Sequence, residues 1–383
     1  MKNQLSSIKA LFRFRIYTII NIIGLAVSVA ATLIIVRYIH QELTVDHFCK
    51  NLDQLYILTA QRSNGGISII DNTDRNNDPN FIDPMKNPEV EGYSYCISYK
   101  DDYIIYDEHR YRVNVLVTDS LFLQLMDYPV ISGIKTIQRP DDAIITRQYA
   151  KHLWGDEDPL GRQFVSSAGY TLTIRGVVDE PDTKSSLQFD LITPVNQGKY
   201  MDWTRMGFCI ARLAKGTELK SFNEKISKPQ SLISFGHSPI QFRLLPLKEL
   251  YFDKVVSSES SFFLRGNKEH ITVLSIVACM LLLVGIFNFI NIYTVIILKR
   301  AREFGVKKVY GASGIQIFSQ IYMENVCMVA VSMLLIWTLI EVTAGVFASV
   351  YSSETGSEIR HLIIFHSIVR IAVYYFCISF FEI

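Results

Sequence analysis

The chain has 383 residues, 49% of them hydrophobic, and a formal net charge of +1. That balance lacks the basic footprint on which phosphate-backbone binding depends, which argues against nucleic acid as a partner. The apolar excess gathers at the two ends, leaving residues 39–270 with the charges and the Gly, Pro, Asn and Asp punctuation of a soluble domain.

Residues 1–15 carry Lys2, Lys9, Arg13 and Arg15 and read as a cytoplasmic N-terminus. Residues 16–38 read as transmembrane helix 1, because the run IYTIINIIGLAVSVAATLIIV is uncharged and long enough for a hydrocarbon core of ~30 Å. A cleavable signal peptide competes, since basic residues precede the run and Ser28-Val29-Ala30 resembles a cleavage site. The run continues through Leu33 to Val36 and exceeds an h-region of about 7–15 residues, which favours an anchor.

Residues 39–270 form the inserted domain. Period-two alternation at 103–106 and 111–117, separated by Asp107-Glu108-His109-Arg110, predicts a hairpin. Residues 143–146, 170–178 and 208–213 read as strands, residues 147–154 and 218–226 as helices, and residues 155–161 as turn chemistry. The sum is an α+β domain. Residues 271–298 give transmembrane helix 2, the longest uncharged stretch, and residues 299–320 a cytoplasmic loop. Residues 321–350 give transmembrane helix 3, interrupted by Glu324 and Glu341, and residues 351–361 a short outer loop. Residues 362–383 give a fourth helix that contains Arg370, whose depth suggests pairing with Glu341. The fold class is thus an integral membrane protein with four transmembrane α-helices and a large α+β extracytoplasmic domain between helices 1 and 2.

Orientation follows from basic residues at the membrane ends. Lys299, Arg300, Arg302, Lys307 and Lys308 follow helix 2 as the N-terminal cluster precedes helix 1, so both belong inside and the domain outside.

The chemistry-bearing side chains mostly have plainer roles. His40, His47 and Cys49 lack the spacing of a metal site, and Asp101, Asp102, Asp107 and Glu108 solvate a hairpin more readily than they form an acid/base pair. The six cysteines, Cys49, Cys96, Cys209, Cys279, Cys327 and Cys377, include no CxxC pair; one disulfide in the outer domain stays open. Gly311-Ala312-Ser313-Gly314 is not the GxSxG of a hydrolase. No GxxxxGK[ST] pattern occurs, so no ATPase of its own, no cofactor and no catalytic residue is expected, and energy must come from another protein.

Several strings together resemble the MacB/FtsX-like permease family of ABC transporters. TIINIIGLAVSVAATLIIV is similar to the family's first helix, and TVDHFCKNLDQLYIL to the segment that follows it. AIITRQYAKHLWGDEDPLGRQF and YTLTIRGVVDEPDTKSSLQFDLITP resemble the ectodomain core. NFINIYTVIILKRAREFGVKKVYGAS resembles the signature cytoplasmic loop, and QIYMENVCM the start of the third helix. The resemblance implies a permease in a bacterial inner membrane with its domain in the periplasm, which dimerises with itself or a related permease and pairs with a separate ABC ATPase subunit. It implies motion transmitted to the outer domain; relatives export macrolides or peptides, extract lipoproteins or control cell-wall hydrolases. A periplasmic adaptor or outer-membrane component and membrane lipid are the further partners in view. The chain carries one copy of the unit and stops at FCISFFEI without the family's polar tail, as expected of a half-size or truncated permease. A membrane-anchored sensor or adaptor without transport is the rival reading.

Contact with the ATPase is expected at Lys299, Arg300, Arg302, Glu303, Gly305, Lys307, Lys308 and Gly311, where a short amphipathic element emerges from a membrane helix and Gly311 ends it. Asn21, Asn288 and Asn291 are expected to hydrogen-bond across helix interfaces and Gly24 and Gly285 to permit close packing. Glu324, near the cytoplasmic start of helix 3, is read either as resting at the membrane interface or, as the resemblance implies, as taking a structural pairing role.

Overall fold

The computed structural model describes residues 15–63, 65–69, 82–194, 207–231, 239–256 and 263–351. The chain divides into two compact units, Met1–Leu43 with Lys268–Ile383, and Thr44–Asn267.

The first helix, α1 (Arg15–Leu43), continues past the apolar run through Arg37 and Glu42 because no Pro or Gly stops it there. The inserted unit then runs β1 (Leu55–Arg62), β2 (Ile67–Ile69), β3 (Val90–Tyr106), β4 (His109–Thr118), α2 (Phe122–Met126), β5 (Val130–Gly133) and β6 (Asp142–Thr146). It continues with α3 (Arg147–Trp154), β7 (Gln163–Ser166), β8 (Thr171–Val178), β9 (Leu191–Pro194), β10 (Phe208–Leu213), α4 (Leu219–Ile226), β11 (Gln230–Ser231), β12 (Pro239–Pro246) and α5 (Leu247–Leu250). The strand order is β11-β12-β1-β10-β3-β4-β9-β6-β8-β5, with β2 on β1 and β7 on β3 and β8.

The long strand β3 holds the domain together. Its first half pairs with β10 and its second half with β4 and β7, and the register shifts between Tyr99 and Asp102, where Asp101 takes φ 60°. Alternation sorts side chains into separate cores. Ile57 and Phe208 face one core with Leu116, Phe122 and Leu247; their neighbours Leu58 and Cys209 face another with Phe222 and Phe242. A third core under α3 gathers Val115, Ile145, Trp154 and Leu172.

The predicted hairpin closes more tightly than its sequence gap suggests. Tyr106 pairs with His109, so only Asp107 and Glu108 form the turn, at φ 48° and 64°, the two left-handed positions of a type I′ turn. His109 and Arg110 are strand residues. Cys49, Cys96 and Cys209 are free and buried, so no disulfide links them; Cys96 and Cys209 belong to different cores. Burial pushes the Cys96 thiol up to about 12.

After the domain come α6 (Lys268–Lys299), α7 (Ala301–Val309) and α8 (Gly314–Tyr351). Among the described residues, three helices are long and apolar enough to cross a membrane: Ile16–Leu43, Lys268–Lys299 and Gly314–Thr343. The expected fourth, at 362–383, lies outside the described residues, as does Arg370. α1 packs Ala26 and Ala30 against Ile336 and Ile340 of α8.

Candidate functional site

The basic stretch after α6 folds as a helix–turn–helix whose stops are written locally. Gly311, at φ 91°, follows α7; its N–H donates to the Lys308 carbonyl (3.1 Å) and the Ala312 N–H to that of Lys307 (3.0 Å), closing a Schellman motif. Ser313 then caps α8. Its Oγ accepts the Gln316 N–H (3.3 Å), while Gln316 Oε1 accepts the Ser313 N–H (3.0 Å), a reciprocal capping box. α8 therefore begins at Gly314, ahead of the apolar run expected from 321.

Helical spacing divides α7 into two faces. Arg300, Glu303, Phe304 and Lys307 share one, at i, i+3, i+4 and i+7; Arg302, Gly305, Val306 and Val309 share the other. The first face joins a closed polar ring. Arg300, 5% exposed, pairs two nitrogens with the carboxylate of Glu324 on α8, 2% exposed, and its Nε donates to Glu303 at 3.3 Å. Lys307 Nζ donates to Glu303 Oε1 and Gln320 Oε1, each at 2.9 Å, and Gln320 Nε2 donates to Glu324 Oε1 at 3.1 Å. Phe304 lies beneath the Arg300 guanidinium, 5.0 Å from its ring centre.

The charges hold one another in place. Burial favours loss of the Arg300 proton, but the bonds to Glu324 and Glu303 outweigh it and hold the guanidinium above its ordinary value. Burial favours protonation of Glu303, yet Lys307 and Arg300 hold its carboxyl below the usual range.

The second face is open. Arg302, Gly305, Val306, Lys308 and Val309 are exposed, Val309 to 85% and the following Tyr310 to 87%. A side chain added at Gly305 or Gly311 would meet nothing. Among the residues expected at the ATPase contact, Arg300, Glu303 and Lys307 thus face inward, and Lys299 donates to the Tyr17 hydroxyl of α1 at 3.0 Å with its ammonium over that ring. Arg302, Gly305 and Lys308 face outward. Phe304, Gln320, Tyr17 and Tyr310 were not singled out by the sequence; the spacing of 300, 303, 304 and 307 was the available signal for Phe304.

Among the helix-packing residues, the Asn288 amide occupies the space a side chain at Gly24 would need, and Ser28 lies against Gly285. Asn21 is fully buried, with neither amide atom hydrogen-bonded among the described residues. Asn291 is exposed, not at an interface with α1: six positions beyond Gly285 is roughly two-thirds of a turn off the face that meets α1. Glu324 takes the pairing role with Arg300.

Three membrane-length helices and an α+β domain inserted after the first fit a membrane permease. Residues 18–228 match the MacB-like periplasmic core domain and residues 275–381 the FtsX-like permease C-terminal model, and the chain belongs to the MacB/FtsX-like ABC permease family. No curated protein matches the chain. Among solved structures, a domain of a protein described as a permease from Porphyromonas gingivalis is 17% identical, with TM-score 0.41 over 55% of this chain and 95% of that one. The periplasmic region of MacB from Actinobacillus actinomycetemcomitans is 12% identical, with TM-score 0.37 over 52% and 94%. The extracellular domain of the noncanonic ABC-type transporter YknZ from Gram-positive bacteria is 14% identical, with TM-score 0.36 over 50% and 99%.

Proposed function

We propose that the chain is the non-catalytic permease subunit of an ABC-type exporter or mechanotransmission complex, in a bacterial inner membrane with residues 39–270 in the periplasm. A separate ATPase subunit docks on the outward face of α7, where Val306, Val309 and Tyr310 offer apolar surface beside Arg302 and Lys308. The single observation that carries this reading is the division of α7: one face exposed and apolar, the other tied through Arg300, Glu303 and Lys307 to α8. A push on the exposed face then moves a membrane helix rather than a loose loop. Gly305 and Gly311 keep that surface low, so a partner backbone can approach.

The reading is tested by reconstituting the chain in nanodiscs with cassette ATPases from the same genome and measuring nucleotide hydrolysis. The wild type is expected to co-purify with one of them and raise its rate. Tyr310→Asp, or a bulky residue at Gly305, is expected to abolish that stimulation while membrane insertion is retained. Unchanged stimulation in both variants would remove the docking face.

A further inference from the structure

Within the inserted unit, two segments adjoin membrane helices in the chain: residues 44–50 follow α1, and residues 263–267 precede α6. Neither is a strand of the main sheet, and both are bound by the same short stretch, residues 183–187, within the loop that joins β8 to β9.

On one side of the loop, the Asp46 N–H donates to the Lys184 carbonyl (2.8 Å), and Asp46 Oδ1 accepts the Ser186 N–H (2.8 Å) and the Ser185 hydroxyl (3.3 Å). The Phe48 N–H donates to Thr183 Oγ1 at 3.0 Å. Asp46 is buried and takes φ 62°, a left-handed conformation uncommon for a residue with a side chain. On the other side, the Ser186 carbonyl accepts the Leu264 N–H at 2.6 Å, and Leu187 forms an antiparallel bridge with Phe263. Gly266 donates to the Tyr251 carbonyl at 2.8 Å, and a side chain there would collide with the Tyr251 and Phe252 rings. Tyr251 returns to the loop by accepting from Lys184 Nζ at 3.1 Å. Ser186 therefore serves both segments at once, with its N–H turned to Asp46 and its carbonyl to Leu264.

We infer that residues 183–187 are a clasp through which the segment leaving the first membrane helix and the segment running into the second move as one body, with Asp46 as its positioning residue. Displacement of either segment is delivered through the clasp to β9, which pairs with β4 and β6, and to β8, which pairs with β5, β6 and β7. A carboxylate suits this place because one oxygen can accept two donors from consecutive residues and so fix the loop's direction. The same burial pushes the Asp46 carboxyl above its ordinary value, against the opposing effect of Ser186, Ser185 and His47.

The test is peptide-resolved hydrogen exchange on the full chain in phospholipid nanodiscs. Asp46→Ala is expected to speed exchange about tenfold or more in 183–187 and in 263–267, the exchange equivalent of losing one buried hydrogen bond, with β3 and β4 unchanged. Asp46→Asn keeps the accepting oxygen and is expected to restore wild-type protection. Unchanged protection of 263–267 in Asp46→Ala, or equal loss in Asp46→Asn, overturns the clasp. Should Asp46→Ala open β3 and β4 as well, Ser185→Ala decides. It removes only a hydroxyl shared by Asp46, Tyr128 and the Leu187 N–H, and a parallel, several-fold rise in both segments supports the clasp while a rise in one alone overturns it. The delivery of motion rests on the proposed function. In complex with the ATPase, Asp46→Ala is expected to keep nucleotide hydrolysis but lose any nucleotide-dependent change in ectodomain exchange. Retention of that change overturns the delivery role. A wild type that stimulates no ATPase would remove the proposed function and leave the exchange result standing.

Discussion

Glu324 of the membrane unit and Asp46 of the inserted unit are buried in different company. In the membrane unit Glu324 faces a guanidinium, and the pair is closed by Glu303, Lys307 and Gln320; in the inserted unit the Asp46 hydrogen bonds come from neutral donors, the Ser186 N–H and the Ser185 hydroxyl. The first arrangement depends on charge, because removing one partner strands a buried opposite charge. The second depends on the direction of lone pairs, which an uncharged amide can supply. Glu324 is accordingly bound to one partner type, whereas Asp46 is replaceable by its amide.

The largest expected effect tests the charged side. Glu324→Ala leaves Arg300 buried with Glu303 as its remaining carboxylate and is expected to lower the stability of the membrane unit by about 3 kcal/mol, read as the thermal melt of the full chain in detergent. Glu324→Gln should recover little of that loss, in contrast to Asp46→Asn.

A smaller effect tests the neutral side. Asp46→Ala leaves the Ser186 N–H without its acceptor and is expected to destabilise the inserted unit by about 1–3 kcal/mol in chemical denaturation. Burial raises the folded-state value of Asp46 above the ordinary carboxylate value of about 3.9, so the folded state holds this proton more tightly than the unfolded chain. The resulting stabilisation is fully present below that ordinary value and is lost as pH rises through the folded value. Asp46→Asn should remove this part of the pH dependence and stand at or above wild type at neutral pH; melts from acid to neutral pH check the sign.

Two substitutions ask whether the polar ring needs its turn. Gly311→Ala forces a side chain to φ 91° and is expected to cost about 1–2 kcal/mol. Exchange in α7 should then rise while residues 183–187 stay protected. Ser313→Ala removes the cap of α8 and is expected to cost about 1 kcal/mol, seen as fraying of its first turn.

Much of the inserted domain was legible because its signals are local. Strand 208–213 and helix 147–154 match β10 and α3 residue for residue, since period-two and helical spacing both act within a few positions. The first half of β3, Val90–Tyr99, was not singled out; its apolar residues follow no clean alternation, because both of its faces are covered, Tyr93 and Tyr95 packing against one core and Cys96 entering another. In the candidate site, Gly311 could be read as a helix stop because a Schellman motif is written by one glycine and its neighbours. The inward turn of Arg300 could not be read from the positive-inside pattern, which reports charge near a membrane and not which way a side chain points. The face that Asn291 takes could not be read for a related reason: a polar residue in an apolar helix calls for a partner without naming the face.

The sequence by itself determined where lipid-compatible helices lie, where a mixed α+β domain interrupts them, and where the helix after the second span must stop, because hydrophobic length, side-chain period and glycine geometry are properties of neighbouring residues. Tertiary structure alone decided that Arg300 belongs to Glu324 and that Ser186 belongs to both Asp46 and Leu264. Asp46 and Ser186 stand 140 positions apart, and a hydrogen bond at that separation is specified by the packing of the whole unit, on which no local pattern reports.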